Sequence, residues 1–163
     1  MRRRRCVRGR RTVVLLDTYE TAAPLDDWLR ERWLDARGPE RRRRILYGHS
    51  LGGAIAAEVA LREGGAAALV VESAFTSVEE MTMFGALVTQ RLDLLEKLAK
   101  VDVPVLVVHG AEDTLAPPEM AQRLYEAARG PKRLLLVEDA GHRLVALHAG
   151  GALYEALRDI AAQ

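Results

Sequence analysis

The sequence predicts an α/β protein built on a mostly parallel sheet with helices on both faces. Two observations carry this. Short β-branched apolar runs, such as residues 68–71 and 103–108, alternate with longer segments whose apolar residues recur at helical spacing. The intervals between runs are long enough for a crossover helix, which implies parallel βαβ units and a sheet covered on both sides.

Taken in order, residues 13–16 form a short first strand. A helix is expected through Leu25, Trp28, Leu29 and Leu34, with Asp26 and Asp27 near its start and Gly38-Pro39 as its stop. Residues 45–47 read as a strand, 48–53 as a turn, and 54–62 as a helix ended by Gly64-Gly65. Residues 68–71 are a buried strand, and 78–100 hold one or two helices. Residues 103–108 are a strong strand with Pro104 in its first positions. Residues 118–128 are a helix ended by Gly130-Pro131, and 134–137 a strand. Residues 144–161 close the chain as a helix, interrupted or restarted at Gly150-Gly151.

The chain has 163 residues and a formal net charge of +1, enough for one domain with a core and too balanced to suggest a nucleic-acid or membrane partner. The charge is uneven. Arg2, Arg3, Arg4, Arg5, Arg8, Arg10 and Arg11 crowd the start, so residues 1–12 are expected to be a basic, disordered segment ahead of a single domain over 13–163. This start lacks the interleaved aromatics of a nucleic-acid-binding segment, and four apolar residues are too few for a signal-peptide core. Arg41, Arg42, Arg43 and Arg44 solvate the approach to a strand. Cys6 is the sole cysteine, so no intrachain disulfide forms. With no apolar run long enough to span a membrane, the expected compartment is the cytoplasm.

In open α/β sheets, sites lie beyond the carboxyl ends of the strands, and three such ends carry reactive residues. The first is Gly48-His49-Ser50-Leu51-Gly52, a G-x-S-x-G motif between strand and helix. A sharp turn there lifts the Ser50 hydroxyl above the sheet, the glycines avoiding clashes with strand and helix. The Leu51 N–H then opens a helix, where negative charge is favoured, which makes it an oxyanion-hole candidate. Asp113 follows the strand at 103–108, and His142 follows the strand at 134–137. One helix and one strand separate them, so both fall on the same sheet edge. The roles follow from chemistry. His142 is the base that takes the Ser50 proton, and Asp113 fixes the imidazole tautomer and stabilises the imidazolium.

Each residue has a plainer reading. Ser50 is also a normal helix N-cap, and Asp113 also suits capping the turn before Pro117-Pro118. Glu112 is the rival acid, expected to face solvent, and His142 could be an ordinary loop histidine. His49 and His109 read as structural, and His148 as lying on a solvated helix face. Residues 72–76 either line a pocket or pack. Trp28 and Trp33 read as core or partner-facing. No histidine–carboxylate spacing suits a metal, and neither metal nor cofactor is expected.

The segment ILYGHSLGGAIAAEVALREGGAAALVVESAFTSVEEM, from Ile45, resembles the α/β-hydrolases of the Bem46-like and ABHD-like groups. PVLVVHGAEDTLAPPEMAQRLYEA and LLLVEDAGH are similar to that family's acid-bearing and histidine-bearing segments, and the likeness runs from about residue 40 to 145. The resemblance implies a partial α/β-hydrolase fold and an esterase-, thioesterase-, lipase- or peptidase-like activity on a small acyl substrate. The chain order Ser, Asp, His is that family's order. A serine at position 50 argues against the dehalogenase and epoxide-hydrolase branches, which attack with aspartate.

The departures also carry expectations. Family members place several strands and a His-Gly oxyanion loop upstream of the nucleophile, whereas 49 residues precede Ser50. A chain truncated at its N-terminus is therefore expected, with Leu51 as the one assignable oxyanion donor. The alternative function is a weak or inactive truncated hydrolase acting as a binding module. Residues 13–16 are expected to pair beside 45–47, bringing Thr18 or Tyr19 toward the site. An open sheet edge makes a homo-oligomer plausible, and the short 78–100 segment predicts an open site of modest selectivity.

Overall fold

The computed structural model describes residues 12–16, 44–77 and 93–163. Among them five strands form one sheet in the order β1 (Thr12–Leu16), β2 (Arg44–His49), β3 (Ala68–Glu72), β4 (Val105–Gly110) and β5 (Lys132–Val137), every pair parallel. The first strand, expected beside residues 45–47, is there: Val13 pairs with Ile45 and Leu15 with Tyr47. Thr18, Tyr19, Trp28, Trp33 and the helix expected around them lie outside the described residues, as do residues 1–11.

Five helices fall among the described residues: α1 (Gly52–Glu63), α2 (Leu94–Leu98), α3 (Pro118–Ala127), α4 (Val145–Ala149) and α5 (Gly151–Ile160). The break expected at Gly150-Gly151 separates α4 from α5, with Gly150 at φ 49°. Asp93 caps α2 by accepting the Glu96 N–H at 3.0 Å, while residues 78–92 lie outside the described residues.

The period-2 side-chain alternation of the strands divides the core into two layers. On one face Leu46, Leu69, Val71, Val105 and Val107 pack against α1, α2 and α3 through Ala57, Leu94, Leu98 and Leu124. On the other, Tyr47, Val70, Leu106 and Val108 pack against α4 and α5 through Val145, Leu153, Ala156 and Ile160. All residues of β3 and β4 are buried, which is why their sequences are unbroken apolar runs up to the polar residues at their ends. Each fully buried valine or leucine contributes roughly 1.5–3 kcal/mol of transfer free energy.

Four elements have limits that differ from the sequence reading. β2 continues past Tyr47, because Gly48 pairs with Val71 and His49 with Glu72. β4 begins at Val105 and runs to Gly110, paired there with Val137. β5 starts at Lys132, whose pairing with Val105 an apolar pattern does not reveal. The helix after the serine turn opens at Gly52 rather than Ala54. Among the described residues no helix is long and apolar enough to cross a membrane.

Candidate active site

The carboxyl ends of β2, β4 and β5 converge on one edge of the sheet, and each delivers one reactive side chain. β2 delivers Ser50. Its backbone is left-handed, φ 55°, a conformation that costs a non-glycine residue about 1–2 kcal/mol. The turn is held by the Ser50 N–H donating to Glu72 O at 2.8 Å and the Gly53 N–H donating to Ser50 O at 3.1 Å. Gly48 makes it possible: a methyl there would stand 2.6 Å from Gly53 N and closer still to the Gly52 carbonyl. Ser50 is not the cap of α1. Leu51 holds that position with φ −60°, and among the described residues its N–H meets no acceptor.

β4 delivers Asp113, whose side chain is fully buried. Oδ1 accepts the N–H groups of Leu115 at 2.9 Å and Ala116 at 2.8 Å. Asp113 therefore caps the turn before Pro117-Pro118, as its plainer reading expects. Oδ2 faces His142 Nδ1 at 2.8 Å. Burial pushes the Asp113 carboxyl up, but hydrogen bonds from His109, His142 and the Ala116 N–H outweigh it and hold the group well below the usual carboxylate range. Glu112, the rival acid, is exposed.

β5 delivers His142. The loop carrying it is drawn onto the acid loop by Ala111 N–H to Val137 O and Glu112 N–H to Ala140 O, both 2.9 Å. Gly110 permits this approach, since a methyl there would lie 2.7 Å from the Ala140 carbonyl carbon and closer to the Ala140 and Gly141 oxygens. The His142 ring lies beside His49 and Phe75, centroids 5.3 and 5.7 Å away. His49 Nε2 donates to the His142 carbonyl at 3.0 Å, so the residue before the serine ties the histidine loop to the turn. His142 Nε2 lies 3.2 Å from Ser50 Oγ. With Nδ1–H donated to the carboxylate, Nε2 presents its lone pair to the serine hydroxyl. The three residues singled out from sequence are thus in contact, in the order serine, imidazole, carboxylate.

Sequence reasoning missed a second polar group beneath the turn. Glu72, buried at the end of β3, accepts a hydrogen bond from the Tyr47 hydroxyl and a 3.3 Å bond from the Ala146 N–H of α4. Burial, then the Glu72 carboxylate, push the Tyr47 hydroxyl up from its ordinary range. Tyr47 and Glu72 fall on adjacent strands, and only a fold-level register could have paired them. His148 is exposed, and residues 72–76 are buried, with Phe75 against His142. Among the described residues no cluster of three histidine, cysteine, aspartate or glutamate side chains could hold a metal ion.

A parallel sheet covered on both faces, with a left-handed serine between a strand and a helix at its carboxyl edge, defines the α/β-hydrolase fold class. The comparisons agree. A sequence model described as "Alpha/beta hydrolase family" matches residues 3–96, and one described as "Serine aminopeptidase, S33" matches residues 87–146. The chain belongs to the α/β-hydrolase family. An uncharacterized protein of Mycobacterium tuberculosis is 36% identical over 136 residues, 78% of this chain and 48% of that protein. Human alpha/beta hydrolase domain-containing protein 17B is 31% identical over 122 residues, 73% of this chain and 41% of its own. The chain thus spans about half the length, or less, of these relatives. Among solved structures, the esterase domain of a Rhodothermus marinus protein superposes with a TM-score of 0.63 at 22% identity, over 82% of this chain and 64% of that one.

Proposed function

We propose that this protein is a serine hydrolase that cleaves an ester, thioester or amide through an acyl-enzyme on Ser50. The observation that carries the proposal is the continuous contact from Ser50 Oγ to His142 Nε2 at 3.2 Å and from His142 Nδ1 to Asp113 at 2.8 Å. In this reading the serine proton moves to Nε2 as Oγ adds to the substrate carbonyl. The imidazolium then gives that proton to the leaving group as the carbon–heteroatom bond breaks. Water repeats the sequence against the acyl-enzyme, with His142 again as base. Asp113, kept ionised by its hydrogen bonds, holds the tautomer and stabilises the imidazolium. The Leu51 N–H, without an acceptor among the described residues, is available to the oxyanion. The cycle uses side chains, a backbone N–H and water, and calls for no cofactor.

An ester is the first substrate to try, because the family is broad and an esterase domain is among its structural neighbours. With p-nitrophenyl acetate, stopped-flow absorbance should show a nitrophenolate burst stoichiometric with enzyme, followed by slower turnover. Ser50→Ala should remove both. Turnover that survives Ser50→Ala would refute the assignment. A wild-type protein with no burst and no turnover would instead favour a binding module, a reading that a chain spanning about half of its relatives keeps in play.

A further inference from the structure

His109 is a buried imidazole beside Asp113, and the proposed cycle does not use it. It lies near the end of β4, paired in register with Leu136, and is completely buried. Burying an imidazole among valines and leucines is costly unless its polar atoms are satisfied. Only one is. Nε2 stands 2.7 Å from Ala116 O and 3.3 Å from Asp113 Oδ2. Both neighbours are acceptors, so Nε2 carries the hydrogen. Nδ1 is then a bare lone pair, and among the described residues it meets no donor. A leucine or phenylalanine would fill such a space without leaving a buried nitrogen unpaired, so what distinguishes histidine here is the Nε2–H.

That hydrogen serves the acid. Asp113 Oδ1 is fixed by two backbone N–H groups of its own turn, but among the described residues Oδ2 meets only His142 and His109. Without His109, Oδ2 would be held by the very group it has to orient. His142 sits on a loop, whereas His109 sits on a central strand with every residue buried. His109 therefore references the carboxylate to the sheet rather than to the base. By holding Ala116 O it also closes the 113–116 turn whose N–H groups grip Oδ1.

We infer that His109 is a positioning residue: its Nε2–H, shared between Ala116 O and Asp113 Oδ2, keeps the acid turned toward His142. The inference rests on the reading of Asp113 and His142 as acid and base. Three variants test it. His109→Gln places an amide N–H near the Nε2 position, His109→Asn places one near the idle Nδ1 position, and His109→Phe keeps the ring volume without a donor. The expected kcat for ester hydrolysis is within about threefold of wild type for Gln and about 10- to 100-fold lower for Asn and Phe, with KM unchanged, as for a small misplacement of a reacting group. The low-field proton resonance of His142 Nδ1–H should move in Asn and Phe and return in Gln.

Equal kcat in all four proteins, or equal loss in all three variants, would overturn the inference. So would unfolding of Asn and Phe, which would make the role structural. The proton resonance needs no turnover. Where wild type hydrolyses no ester, which bears on the proposed function alone, the resonance still decides the role of His109.

Discussion

Gly110→Ala should disable the site without touching a reactive group. The glycine ends β4, and its missing side chain is the space into which the histidine loop settles. An added methyl would sit 2.7 Å from the Ala140 carbonyl carbon, whereas ordinary contact begins at 3.4 Å. The loop must therefore retreat by about 0.7 Å at that atom, and by more at the two carbonyl oxygens, which is on the order of 1 Å at His142. The retreat also strains the 2.9 Å bond from the Glu112 N–H to Ala140 O. A misplacement of that size costs about 100-fold in rate. Overpacking costs about 1–3 kcal/mol, or a fall of a few to about ten degrees in Tm for a chain of this length. Gly141→Ala is the control: its nearest atom, Glu112 O, would be 3.8 Å away, so the loop need not move. Steady-state ester hydrolysis and a thermal melt of both variants give the comparison. Gly110→Ala with wild-type kcat, or Gly141→Ala as impaired as Gly110→Ala, would refute the close-approach argument.

Three further outcomes follow from the same geometry. Asp113→Asn should lower kcat by about 10,000-fold, because an amide at Oδ2 favours the wrong imidazole tautomer; initial rates check it, and a loss under tenfold would count against Asp113 as the acid. The folded protein holds Asp113 below the ordinary carboxylate range, so the unfolded chain binds that proton more readily. Its contribution is complete above that range and is lost as pH falls below about 5; urea midpoints should drop on acidification in wild type and drop less in Asp113→Asn. Glu72→Ala leaves the buried Tyr47 hydroxyl and the Ala146 N–H without their acceptor, which should destabilise the fold by about 1–3 kcal/mol per orphaned group in chemical denaturation.

How much was legible from sequence depended on whether the signal was local. Ser50, Asp113 and His142 could be read because each follows an apolar run with glycines nearby, and a parallel sheet sends all such ends to one edge. Strand limits were less legible. Gly48 and His49 look like a turn, yet pairing with Val71 and Glu72 keeps them in β2. Lys132 and Arg133 do not look like a strand, yet among the described residues β5 has a neighbour on one side only, so charged side chains are tolerated there. The support beneath these three residues was illegible. His109 to Ala116, Tyr47 to Glu72 and Gly110 against Ala140 are contacts across turns and strands. They depend on register and on backbone approach, which no composition or spacing encodes.

Treatment with a fluorophosphonate, followed by peptide mass spectrometry, tests most directly whether Ser50 is the activated nucleophile. One adduct is expected, on the peptide carrying Ser50, absent in Ser50→Ala and formed far more slowly in His142→Ala. An adduct on another serine, or labelling undiminished in Ser50→Ala, would contradict it.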